Sequence, residues 1–208
     1  ESDASGNAPA NYVLTTGNTK VELTPENSTI TVNSNYDIEA SSSNQIIIDF
    51  DLRKSIVADA GNSGYNFAGQ AQLENSIRVV NVLDAGTING TATNNTGNSE
   101  IKTVAYAYTK GSYSESEEDE NAAGVRFANA VTSSMATGGS NEFSLHYLTE
   151  GTYEIHFASY EDTNSDGEYE FTGMIEAEGD LGLDLMDVMV SANTEVTIQV
   201  ILLTILGL

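Results

Sequence analysis

The chain has 208 residues and a formal net charge of −24, from 31 acidic against 7 basic side chains. This balance excludes nucleic acid and anionic membrane surfaces as partners, since both need clustered Lys and Arg. The chain also lacks cysteine, which excludes disulfides and thiolate metal sites.

The charge leaves open cation binding, a basic protein surface, solubility alone, or adaptation to a high-salt habitat. Asn, Ser, Thr and Gly dominate the polar positions and Lys is scarce, a composition typical of exported chains. The sequence starts at Glu1 rather than Met, so the expectation is an extracellular or cell-surface protein processed after export. Asn-x-Ser/Thr triplets at Asn27, Asn89 and Asn94 carry little weight in a chain so rich in Asn and Thr.

Residues 1–10 have no apolar pattern and read as a flexible arm. Val21–Leu23 and Ser28–Val32 alternate with period two, as half-buried strands do. Gln45–Phe50 contains three consecutive Ile residues, which predicts a strand buried on both faces. Ile77–Leu83 reads as another strand. The polar, turn-rich stretch 94–100 is the best domain boundary. Beyond it, Ile101–Thr109 is a strong strand, and the acidic run Glu115–Glu120 is expected as a solvated loop. Val125–Met135 is expected as a strand anchored by Phe127 and Val131. Phe143–Leu148 and Thr152–Tyr160 read as a hairpin. Tyr169–Glu178 and Thr194–Ile205 complete the strands, and Leu181–Val190 fits a short helix or a strand. The predicted fold is all-β: an arm at 1–10, an incomplete β-sandwich at 11–93 and a β-sandwich at 94–208.

In the expected hairpin, a turn at Thr149–Gly151 brings Tyr147 to Tyr153 and Leu145 to Ile155. His146 and His156 then fall on the outer face, with His146 opposite Glu154 and His156 near Ser144. Two His and one Glu could hold a transition metal there, although a solvated His–Glu pair fits better. The pattern argues against a Ser-His-Asp or Cys-His centre. There is no G-x-S-x-G turn and no Trp to line a sugar cleft, so no catalytic residue is assigned.

Asp162, Asn164 and Asp166 place oxygen side chains at alternate positions before Gly167, a spacing suited to calcium. An EF-hand needs a bidentate Glu at its twelfth position, and Gly173 stands there. A calcium site would therefore draw on Glu168, Glu170 or a neighbouring loop. A polar turn, with Asp, Asn and Gly bonding their own backbone, fits the same residues.

These motifs carry two resemblances. Residues from about Gly86 to Val200 resemble a carboxypeptidase-regulatory-like, or transthyretin-like, β-sandwich. The matching residues are Val104-Ala-Tyr106-Ala-Tyr108, Phe143-Ser-Leu145, Leu148-Thr-Glu-Gly151-Thr-Tyr153 and the Asp162 loop. That resemblance implies a non-catalytic domain of accessory or adhesive type. Residues from about Tyr12 to Val82 resemble the latter half of a domain-of-unknown-function family of bacterial surface lipoproteins. This likeness rests on Ile48–Val57 and on Ile77–Val80 leading to Gly86–Gly90. The family's first strands are expected to be missing before Tyr12, which leaves open sheet edges.

The stretch Val196–Leu208 becomes apolar on both faces after Val200 and is too short to cross a bilayer as a helix. It belongs either in this chain's own core or in a neighbouring subunit, donated by β-augmentation. Donation would make Val200, Ile201, Leu202, Leu203, Ile205 and Leu206 a subunit interface, and open head-to-tail contacts build filaments. The expected function is a non-catalytic structural protein: a surface or pilus-like filament subunit that polymerises with itself by strand exchange. The alternative is a monomeric cell-surface module that binds glycan or protein.

Overall fold

The computed structural model describes residues 2, 4–33, 38, 40–58 and 64–207. Glu1 and Asp3 of the expected arm lie outside these. The fold is all-β, as expected, and the two α-helices among the described residues span only four and six residues. The chain divides into two compact units. One comprises 1–35, 48–79 and 119–128, the other 36–47, 80–118 and 129–208. This differs from the boundary read at 94–100, because residues 85–94 belong to the second unit.

The early elements are β1 (Tyr12–Leu14), β2 (Lys20–Glu22), β3 (Ile46–Phe50), α1 (Leu52–Ser55), β4 (Ile56–Ala58), β5 (Tyr65–Phe67), α2 (Gln70–Asn75) and β6 (Ile77–Asn81). Among the described residues these strands pair only in twos: β1 with β2, β4 with β5 and β3 with β6. Two-stranded ribbons are marginal on their own, and polar side chains reinforce this unit. Asp51 caps α1, accepting from the Arg53 amide at 3.1 Å. The Arg53 guanidinium donates to the Arg126 and Phe127 carbonyls at 2.7 Å each and to the Asp51 carboxylate. Buried Ser55 donates to Ser76 at 2.8 Å, and Ser76 donates to the Leu73 carbonyl at 2.6 Å. Burial, followed by the neighbouring Arg53 charge, lowers the Lys54 pKa to about 8.

Three sequence expectations fail in this unit. Residues 28–32 form no strand. Ile48 is 64% exposed and Phe50 48% exposed, so β3 is not buried on both faces. Ile48 and Phe50 share one face of β3, and that face is open to solvent. Residues 125–131 are not a strand either, since Phe127 adopts φ +51° and is buried in a bend. Arg53 takes the carbonyls that an extended segment would have offered to a ladder.

The second unit contains β7 (Ala85–Asn94), β8 (Lys102–Thr109), β9 (Thr132–Met135), β10 (Glu142–Thr149), β11 (Gly151–Glu161), β12 (Glu170–Gly179), β13 (Val188–Val190) and β14 (Glu195–Gly207). They form one sheet in the order β10-β7-β14-β12-β11-β8-β9, with β13 added to β11. The sheet rolls up until its end strands meet. Thr137 bridges Glu142, and the Ser144 amide donates to Ser134 Oγ at 3.1 Å. The result is barrel-like, with Ile88, Leu145, Leu148, Ile155, Val200 and Leu202 among the side chains that fill it. The stretch 181–190 resolves into a short 3-10 turn at Asp180–Gly182 followed by β13.

The expected hairpin does not form. β10 pairs with β7, and β11 pairs with β8, β12 and β13. The cause lies at Tyr147, which adopts φ +57° within a register shift between Leu145 and Leu148. The shift turns both Leu145 and Leu148 into the core and breaks the alternation that implied a hairpin. Thr149–Gly151 therefore connects strands that are not neighbours.

Candidate functional site

The Asp162 loop closes on itself. The Asp162 carboxylate accepts the Asp166 and Gly167 amides at 3.0 and 2.9 Å. Asn164 Oδ1 accepts the Asp166 amide at 2.9 Å, and Asp166 Oδ1 accepts the Glu168 amide at 2.8 Å. Glu170 accepts the Thr163 amide and hydroxyl at 2.9 and 2.8 Å, and these bonds hold its carboxyl below the usual range. These are the turn contacts expected of Asp and Asn before Gly. Among the described residues no three His, Asp or Glu side chains gather as metal ligands. Replacing Asp162 by alanine removes the acceptor of two amides and is expected to cost about 1–2 kcal/mol, read as a lower thermal midpoint. Calorimetric titration of the unmodified protein with calcium separates the two readings: heat at millimolar calcium assigns the loop to a cation, and no heat leaves it a self-bonded polar turn.

The histidines sit on separate strands that do not pair, so the expected outer-face arrangement is not formed. His146 is exposed beside Thr87, with Nδ1 3.4 Å from Oγ1. His156 lies opposite Tyr106 on β8, not near Ser144. It stacks on Tyr113, centroids 3.9 Å apart, and meets the Tyr108 ring edge-on at 5.7 Å. Glu154 is buried and accepts the Tyr113 amide at 2.7 Å. Its other oxygen lies 3.9 Å from His156 Nε2, a buried atom without a hydrogen-bond partner.

Tyr113 thus fastens the acidic segment to β11. Its hydroxyl donates to Glu118 at 2.7 Å, while Glu117 accepts the Asn129 amide and side chain, both at 2.7 Å. Burial first, then the Glu118 bond, drives the Tyr113 pKa upward. The run expected as a solvated loop is therefore docked through Glu117 and Glu118. Only the aromatic residue preceding the run hinted at this. Beneath Tyr113 a cavity of about 280 Å³ opens, lined also by Glu115, Glu118, Met174, Glu176, Met186 and Leu206.

Burial lowers the His156 pKa below its ordinary 6.5, and the Glu154 charge only partly offsets this. The unfolded chain then binds the proton first as pH falls. Stability should be complete above about pH 6.5 and decline below it, until the folded form is also protonated. His156→Gln is expected to flatten this decline in thermal midpoint.

Val200, Ile201, Leu202, Leu203, Ile205 and Leu206 all lie in β14, inside the chain's own sheet. β14 runs parallel to β7 and antiparallel to β12. Val200 and Leu202 are core residues, whereas Leu206 is 53% exposed. Among the described residues no helix is long and apolar enough to cross a membrane.

Residues 10–68 match a family described as Domain of unknown function (DUF4382). This agrees with the likeness expected for the N-terminal part and covers less than half of the chain. No curated protein matches. Among solved structures, one described as "Pilus-presented adhesin, Spy0125 (Cpa)" aligns at 11% identity and a TM-score of 0.26. The alignment covers 59% of this chain and 28% of that one, and the TM-score falls below the level of a shared fold.

Proposed function

We propose that this is a non-catalytic structural subunit of a cell surface or surface filament, assembling through strands added to the first unit. The observation that carries the reading is the pairing there. Among the described residues the ribbons are two-stranded with no further strand on their edges, and Ile48, Phe50 and Leu52 are exposed there. Open edges next to apolar side chains are templates for a strand from another chain. The acidic, cysteine-free, Asn- and Thr-rich composition supports an extracellular location. The same carboxylate charge opposes random association, so contact would depend on strand pairing rather than on general stickiness.

A second reading, a monomeric surface module for glycan or protein, draws support from β14. The second unit's sheet is completed by the chain itself and needs no donor. Sedimentation and negative-stain microscopy of the purified protein separate the two. Concentration-dependent oligomers or filaments are the expected result. A monomer at every concentration tested overturns the structural reading and leaves the module.

A further inference from the structure

His156 lies beneath the segment that leaves β8. The Tyr113 ring covers its imidazole, and the Tyr108 ring closes it edge-on. The buried Nε2 has no hydrogen-bond partner. Glu154 Oε2 stands 3.9 Å from it, about 1 Å beyond a charge-assisted hydrogen bond. Oε1 of the same carboxylate accepts the Tyr113 amide at 2.7 Å. One carboxylate therefore stands between an amide that it holds and a ring nitrogen that must donate once the imidazole is charged. On either side of Tyr113 the chain is anchored without a histidine. The Lys110 amide donates to the Thr152 carbonyl at 2.9 Å, and Glu117 accepts from Asn129.

We propose that residues 111–116 form a strap released by acid: protonation of His156 draws Glu154 from the Tyr113 amide, and the strap lifts from β11 between its two anchors. While the strap is closed, the stacked rings keep water from Nε2, and an enclosed charge without a bonded partner is costly. Lifting Tyr113 admits water and frees Glu154 together, so the open form binds the solvent proton more tightly. The neutral imidazole favours the closed strap above about pH 6.5, and opening grows as pH falls below that. The downward shift of His156 in the closed form has the same sense. The groups around His156 are Glu154 beside it, Tyr106 and Tyr108 on β8, Glu176 on β12, and Tyr113, Glu115 and Glu118 above it. No Lys or Arg lines the cavity they share. Opening also breaks the Tyr113 bond to Glu118 and uncovers the cavity wall formed by Met174 and Ile175. None of this rests on how the first unit assembles.

Cutting after Glu115 by a Glu-specific endoproteinase reads the opening. Exposed Glu100 corrects for the protease's own pH dependence, and Glu154, buried in β11, reports global unfolding. Between about pH 7.5 and 5.5 the carboxylates stay ionised while histidine titrates. Over that range the ratio of Glu115 to Glu100 cutting should rise by about threefold to tenfold, without cutting at Glu154. The chain has two histidines, so magnetic resonance resolves both ring titrations in the unmodified protein. The midpoint of opening should coincide with that of His156. His156→Gln removes the charge and should leave the ratio flat. A flat ratio in the unmodified protein, a rise that persists in folded His156→Gln, a midpoint away from the His156 titration, or Glu154 cutting that rises in step overturns the proposal. If the variant is cut at Glu154 even at the higher pH, it has not folded, and the midpoint comparison decides alone.

Discussion

Ending the chain at Val200 is expected to abolish the cooperative fold of the second unit. The truncation removes the part of β14 that pairs with β12 between Gly173 and Glu178, and with it the fully buried Leu202. Without that segment β12 and β7 present unpaired ladder groups to solvent, and the barrel has a gap in its middle rather than at an edge. Leu202→Ala alone should cost about 2–5 kcal/mol, because the contacts of a fully buried leucine are replaced by a cavity. Circular dichroism and thermal melting would show a lost transition for the truncation and a lowered one for the substitution. A truncated protein with an intact transition would mean that β14 is not integral to its own sheet, which would return it to the role of a donated strand.

Gly173→Ala is expected to be the most damaging single-atom-scale change. A Cβ at this position would lie 2.1 Å from the Leu206 carbonyl oxygen, which belongs to backbone and cannot rotate away. The residue also has φ +141°, a conformation that side chains rarely adopt. Backbone strain and overpacking each cost about 1–3 kcal/mol, so a loss of about 3 kcal/mol or more is expected. Chemical denaturation would measure it. Gly69→Ala is the control, since a Cβ there meets nothing within 4 Å. Equal stability of the two variants would show that β12 and β14 leave room between them for a methyl group.

The sequence disclosed strands far better than their partners. The apolar and β-branched runs in Lys102–Thr109 and Gly151–Glu161 marked strands correctly, and both are covered on both faces: Ala105 and Ala107 join the core, and Tyr106 and Tyr108 are buried on the opposite side. Alternation says which face is buried, however, and not which neighbour lies alongside. The register shift at Tyr147 therefore undid the hairpin that the pattern implied. The break read at 94–100 is a real turn, yet Ala85–Asn94 belongs with the later strands, because β14 pairs with it from far down the chain. The short helices α1 and α2 carry no periodic signal within four to six residues. At the candidate sites, the Asp162 turn was legible because its contacts are local. The Tyr113–His156–Glu154 cluster was not, since it joins β8's exit to β11 through a backbone amide, and a backbone amide leaves no mark in composition.

The parallel pairing of β14 with β7 also governs how the protein must be made. Glu195 aligns with Thr87 across more than a hundred residues of chain. Such distant pairing carries a large loop-closure cost before any contact repays it, and it slows folding. During synthesis β7 through β12 emerge before the strand that joins them exists. The half-built sheet then exposes two inner edges to its surroundings. A chaperone, or dilution by the sheer repulsion of so many carboxylates, has its greatest value in that interval.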